Sequence, residues 1–301
     1  MTQTELTIEQ RALDIVKQEL TQYSSKQIDT VLALLEDGNT VPFIARYRKD
    51  QTGSLDEVQI REIEERHRYL VNFEKRKDEV IRLIDEQEKL TDEILSDLMK
   101  AKTLTALEDI YRPFKQKKRT KATIAKEAGL EPLAEFLLAC TSEEVEAKAA
   151  TFINEEKEIL TAEDALNGAL EIIAEKVSDN AQYRKLLRDY TVQKAMLVTI
   201  LKDEEKDEKH VYEMYYDYQE LVKTIVPHRI LAVNRAEKEG VLKVSLEVDE
   251  TIPLEKMMKK EISNVKSPSA PYVKAAIEDS YKRFIAPAIE REIRSELTEK
   301  A

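Results

Sequence analysis

The chain has 301 residues, 42% of them hydrophobic and 36% charged, with 48 Lys and Arg against 60 Asp and Glu for a formal charge of −12. Its five glycines stand singly, so a phosphate-cradling loop, which needs several glycines within a few residues, is excluded, and P-loop or Rossmann nucleotide binding with it. The apolar content supports a packed core in roughly two domains, and no stretch reaches the roughly 18 apolar residues of a membrane helix.

Met1 to Gln10 lacks the basic end and apolar block of a signal peptide, and the single Cys140 forms no internal disulfide. Together these predict a cytoplasmic protein with no membrane contact. Thr7 precedes Ile8, Ala12, Ile15, Val16 and Leu20 at helical spacing, and a second helix follows Ser24 or Ser25 and stops near Gly38. In Thr40 to Lys49, Phe43, Ile44 and Tyr47 share a helical face that predicts core positions, and Arg46 and Arg48 are expected to pair with acids such as Asp56 or Glu57. Ser54-Leu55-Asp56-Glu57 reads as a capping box, and from it the chain runs to about Glu88 without Gly or Pro. Such a helix spans about 50 Å. Its sparse apolar positions, Leu55, Val58, Leu70, Phe73, Val80 and Leu83, predict a strut with one narrow buried stripe.

Further capping patterns start at Thr91, Thr105, Thr141, Thr161 and Asp217. Thr123 is placed to cap Ile124 to Ala128, Gly129 to turn the chain, and Leu130 to Cys140 to form the next helix, a helix-turn-helix-like element at 120–140. The segment 192–201 is open between strand and helix, and 228–239 between a short helix and a hairpin arm. Leu242, Val244, Leu246 and Val248 alternate as on a half-buried strand. A Pro/Ser-rich loop at 267–271 leads into a helix from about Tyr272, kinked at Pro287 and running to Lys300. With no C-cap after it, that helix is expected to lead into a longer chain. The fold class expected is mainly α, a multi-helix bundle with one long strut and a small β element in the last third. Its regions are 1–178 and 179–301.

The concentrated charge is basic. Arg112, Lys115, Lys117, Lys118, Arg119, Lys121 and Lys126 lie within fifteen residues that contain no acid, flanked by Tyr111 and Phe114. A local positive field attracts phosphates, and rings stack on bases. The segment is read as a sequence-independent nucleic-acid contact, a solvated loop, or a latch onto an acidic surface of the same protein. Base reading is disfavoured, because the second helix of the element offers Glu131 and Glu135 rather than Arg, Asn or Gln. His67, His210 and His228 are far apart, with no partner at metal-ligand spacing, and His67 is expected to face solvent. Tyr212, Tyr215, Tyr216 and Tyr218 either form a partner surface or pack internally. No catalytic residue, metal or cofactor is expected.

Thr40-Val41-Pro42-Phe43-Ile44-Ala45-Arg46-Tyr47-Arg48-Lys49, Thr52 to Glu57, Leu107 to Lys115, Lys118 to Ala122, Ala128 to Ala134 and His228 to Ala232 together resemble the N-terminal region of bacterial Tex proteins. The similarity runs in order over essentially all 301 residues. The resemblance implies a non-enzymatic transcription accessory role in the cytoplasm, with RNA or DNA, RNA polymerase, or the protein's own later domains as partners. It also implies a nuclease-fold domain, helix-hairpin-helix modules and an RNA-binding OB fold further along such chains, the last carrying the main nucleic-acid affinity. It supplies no catalytic residue.

Overall fold

Local capping chemistry starts half of the α-helices among the described residues. The computed structural model describes residues 6–115 and 119–301. Thr7 opens α1 (Ile8–Glu19) and Ser24 opens α2 (Ser25–Glu36), each in a reciprocal capping box with a Gln three residues on. Two short helices follow, α3 (Val41–Tyr47) and α4 (Lys49–Thr52). Gly53 and Ser54 both take positive φ, and the Ser54 amide donates to the Lys49 carbonyl at 2.8 Å, so Ser54 terminates α4. The capping box expected at Ser54 lies two residues later: Asp56 caps the 29-residue helix α5 (Glu57–Asp85) with Gln59 as its return partner. Then come α6 (Asp92–Lys100), capped by Thr91, and α7 (Leu104–Tyr111). Thr103, not Thr105, accepts the first free amide of α7, from Ala106.

These helices make one compact unit, Met1–Tyr111. α5 spans about 43 Å and is the spine of that unit rather than a strut between parts. Ile60, Ile63 and Leu70 bury against α1, α2 and α3, whereas Val58 is exposed. Further along α5, Glu74 is buried, 2.5 Å from Lys77 Nζ and 2.9 Å from Arg11 Nε of α1. A buried carboxylate is tolerated only when paired in this way. His67, expected in solvent, is half-buried, and that burial pulls its pKa below the ordinary value despite Glu9 and Glu36.

The second unit, Arg112–Ala301, is built on α11 (Ala162–Ser178). Ahead of it lie α8 (Lys121–Glu127), α9 (Glu131–Leu138) and α10 (Val145–Ala150). Thr120, not Thr123, caps α8, and Glu144 precedes α10 without a side-chain cap where Thr141 was expected to supply one. Gly129, at φ +83°, ends α8, and the Leu130 amide reaches back to the Ala125 carbonyl at 3.0 Å. A close helix crossing forms where Ala125 and Leu130 meet Gly168 of α11. A Cβ built there would lie 3.3 Å from Ala125 Cβ and would collide with Leu130 Cδ1.

Next come α12 (Ala181–Lys194) and β1 (Met196–Leu201), so the segment 192–201 is helix, then strand. The capping pattern at Asp217 is in fact β2 (Asp217–Leu221), and 228–239 lies in α13 (Pro227–Lys238). β3 (Leu242–Glu247) completes a three-stranded antiparallel sheet of order β2-β1-β3, with Leu197 opposite Glu220 and Leu246. The outward amide of Leu246 donates to Glu290 Oε1 at 3.3 Å. α14 (Thr251–Glu261), α15 (Ala270–Ser280) and α16 (Ala286–Lys300) close the unit. Between α15 and α16 the chain makes a π turn, Tyr281–Ile285, with the Ala286 amide donating to the Tyr281 carbonyl. That widened turn lies immediately before Pro287, whose missing backbone donor is the reason a kink is expected there. One apolar cluster runs from Ala122 to Ile293, so position 178/179 falls within a shared core. The fold is mainly α with a small antiparallel sheet.

The tyrosine run packs internally. Tyr212 and Tyr215 are buried, and Tyr212 Oη donates to Glu239 at 2.8 Å. Asp207 accepts from the Val211 and Tyr212 amides, both at 2.8 Å, and from Tyr216 Oη at 3.0 Å. Burial pushes its carboxyl up, but these donors outweigh that and hold it below the usual carboxylate range.

Two outcomes follow from this packing. Gly168→Ala drives a methyl into Leu130 and Ala125, and chemical denaturation should show a loss of about 1–3 kcal/mol. Asp207→Asn should lower the melting temperature at neutral pH. A carboxyl depressed in the folded state contributes its stability above the unfolded pKa and loses it as pH falls through the folded one. The gap between wild type and variant should therefore close below about pH 4; a gap that persists there would exclude the carboxylate as its source.

Candidate nucleic-acid interface

The basic segment begins in a 3-10 turn, Arg112–Phe114, and ends in α8. Lys117 and Lys118 lie outside the described residues. Of the others, four side chains fall beside identified carboxylates of the same unit. Arg112 Nε donates to Asp179 Oδ1 at 3.2 Å, and Arg119 Nη2 to Glu127 Oε2 at 2.7 Å. Lys126 Nζ lies 3.4 Å from Glu175 Oε2, and Lys121 Nζ 3.8 Å from Glu171 Oε1. Lys115 is exposed and has a partner too.

The receiving acids have a simple origin. Glu171, Glu175 and Asp179 recur every fourth residue along α11 and its C-cap, so they form one stripe on one helix face. The stripe meets the basic segment because Ala125 and Leu130 close onto Gly168 one turn earlier. The Thr120 hydroxyl joins the two, accepting from the Thr123 amide at 3.1 Å and donating to Glu175 Oε1 at 3.1 Å.

Arg283, from the π turn, is a further member of this cluster that the sequence did not single out. Its Nη2 donates to Glu171 at 2.9 Å and its Nε to Asp279 at 2.7 Å. The hydrogen bonds that it donates to Asp279 and Glu171 hold its pKa above the ordinary arginine value. A cavity of about 350 Å³ opens beside these groups, lined by Arg112, Lys121 and Arg283 and by Glu171, Glu175 and Asp179. Its lining charge is balanced. As folded, the cleft is no bare phosphate trap.

The pairs are unequal, however. The side chains of Lys121 and Arg119 are 78% and 68% exposed, and that of Arg112 only 36%. Exposed pairs contribute about 0–1 kcal/mol and weaken with salt. A phosphate can compete for such cations. Glu131 and Glu135 stand on the exposed side of α9, while Leu133, Ala134 and Leu137 are buried, so this helix turns an acidic face outward. Among the described residues no cluster of three or more His, Cys, Asp or Glu could hold a metal ion, and no helix is long and apolar enough to cross a membrane.

Comparison with known proteins places the chain in a family. A Tex-like protein N-terminal domain matches residues 10–85, and a Tex central region-like domain matches residues 141–301. A Bacillus subtilis protein, uncharacterized protein YdcI, is 51% identical over 280 residues, covering 92% of this chain and 39% of its own length. Transcriptional accessory protein Tex of Neisseria gonorrhoeae is 44% identical over 232 residues, 77% of this chain and 30% of its own length. S1 RNA-binding domain-containing protein 1 of Homo sapiens is 28% identical over 286 residues, 90% of this chain and 28% of its own length. The chain thus spans less than two fifths of the length of these relatives. With the central-region match covering more than half of its residues, the chain belongs to the Tex family.

Proposed function

We propose that the chain is the helical scaffold of a cytoplasmic, non-enzymatic transcription accessory protein that binds nucleic acid, and that the segment 112–126 adds a sequence-independent contact to phosphate backbone. The observation that carries the second half is the exposure of Arg119 and Lys121, whose pairs with Glu127 and Glu171 are the surface kind. Nucleic acid would exchange one anionic partner for another while the apolar cluster beneath stays fixed. The names of the Neisseria and human relatives support the nucleic-acid context.

A second reading has its own support. Arg112, Arg119, Lys121 and Lys126 already face carboxylates, which suits a latch that stiffens a docking scaffold for later domains or RNA polymerase, with no nucleic-acid affinity of its own.

Titration with single-stranded RNA and duplex DNA at two salt concentrations separates the readings. The phosphate reading expects weak binding that falls with salt, and a log–log salt slope reduced by about 2 in the Lys117→Ala, Lys118→Ala, Arg119→Ala variant on single strands. It also expects Glu171→Gln with Glu175→Gln to bind more tightly, because the stripe no longer competes. No binding at low salt selects the docking scaffold, and binding indifferent to both variants removes segment 112–126 as the contact.

A further inference from the structure

A different surface, in the first unit, carries cations with no ion-pair partner among the described residues. α3 is two turns long and buries Val41 and Ile44, so its other face points outward. Phe43 and Tyr47, expected in the core, are 36% and 60% exposed, with ring centroids 5.1 Å apart. Arg46 and Arg48 do not pair with Asp56 or Glu57, as expected from sequence; Asp56 caps α5 and Glu57 holds Arg61. Instead the Arg48 guanidinium lies 5.1 Å from the Phe43 centroid and the Arg46 guanidinium 6.0 Å from the Tyr47 centroid. Among the described residues, Arg46, Arg48 and Lys49 form no ion pair.

The platform is held rigidly from behind. Arg48 is both the last cap of α3 and the first of α4, and its carbonyl accepts from the amides of Gln51 and Thr52 at 3.0 and 3.1 Å and from Thr52 Oγ1 at 3.3 Å. Thr52 is fully buried, and Gln27 Nε2 of α2 donates to its carbonyl at 3.2 Å. The bend at Arg48 is therefore fixed, and its side chain folds back over Phe43.

We propose that Phe43, Arg46, Tyr47, Arg48 and Lys49 form a stacking site for single-stranded nucleic acid, distinct from the basic segment. An unpaired base lies on the exposed Tyr47 ring, and the backbone phosphates on either side meet Arg46, Arg48 and Lys49. In a chain of net charge −12, three unneutralised cations within four residues mark a place for an anion. The aromatic rings between them add what a duplex cannot use, a face for an unstacked base. A protein partner would meet the same rings without needing all three cations. The inference rests on the reading that this chain engages nucleic acid, and not on residues 112–126.

The test uses the whole 301-residue chain and three fluorescent probes: oligothymidylate, an abasic oligodeoxynucleotide of the same length, and duplex DNA. Wild type should prefer oligothymidylate to both of the others. Tyr47→Leu should weaken oligothymidylate binding by about fivefold to a hundredfold and abolish the preference over the abasic strand, while Tyr47→Phe, which keeps the ring, retains it. Arg46→Ala with Arg48→Ala should weaken the single-stranded probes and lower their salt dependence. Circular dichroism confirms folding of each variant. Equal binding of base-containing and abasic strands, or a Tyr47→Leu variant indistinguishable from wild type, overturns the site. If in that case the Arg119→Ala, Lys121→Ala variant still loses affinity, the phosphate reading of segment 112–126 survives. Failure of every probe to bind overturns both, and leaves the rings to a protein surface.

Discussion

The second unit depends on a missing side chain. Gly168 sits in the middle of α11, where glycine costs helix stability of about 0.5–1 kcal/mol relative to alanine, and its absent methyl is what lets Ala125 and Leu130 seat directly on the helix. That contact fixes how α8 and α9 lie on α11. The charge arrangement follows from it, because the acidic stripe begins at Glu171, three residues past Gly168, and the basic segment enters α8 on the same side. One close approach thus sets both the apolar core and the polar surface above it. A methyl at this position would separate the two halves of the charge cluster as well as open the core.

A net charge of −12 conceals this local order. Acids on α11 answer the cations of the basic segment, and Arg283 binds Glu171 and Asp279 together from a third element. Arg112, Arg119, Lys121 and Lys126 each lie beside a carboxylate at rest, so an anion drawn to them must compete with their own protein. At α3, by contrast, Arg46 and Arg48 lie against the Tyr47 and Phe43 rings. The two surfaces therefore differ in kind: one sets its cations beside carboxylates, and the other sets them beside aromatic rings.

How much could be read without the fold depended on the reach of each interaction. Thr7, Ser24, Thr91 and Thr161 were legible as caps because a hydroxyl and the amide it accepts from lie within three residues. Ser54 misleads because the backbone there is left-handed, finishing one helix rather than starting the next. Asp217 to Glu220 imitates a cap but forms a strand. Its inward positions are Tyr218 and Glu220, neutralised by Arg229 at 2.8 Å, so no apolar alternation marks it. Phe43 and Tyr47 follow helical spacing, yet a two-turn helix has one buried face, and Val41 and Ile44 occupy it. The pairing of residues 112–126 with Glu171, Glu175 and Asp179 spans about fifty residues or more and is invisible to any local pattern. The four-residue spacing of those acids was the one available signal, diluted among 60 carboxylates.

The small sheet has a consequence of its own. A three-stranded sheet has two borders, each able to recruit a strand from a neighbouring molecule. On the β3 side the outward Leu246 amide is engaged by Glu290 of α16, so that border is plugged from within the chain. On the β2 side the strand is only five residues long and bears the exposed Asp217, so two copies meeting border to border would bring like charges near one another. Each border of the sheet thus carries a feature that works against the addition of a strand from a neighbouring molecule.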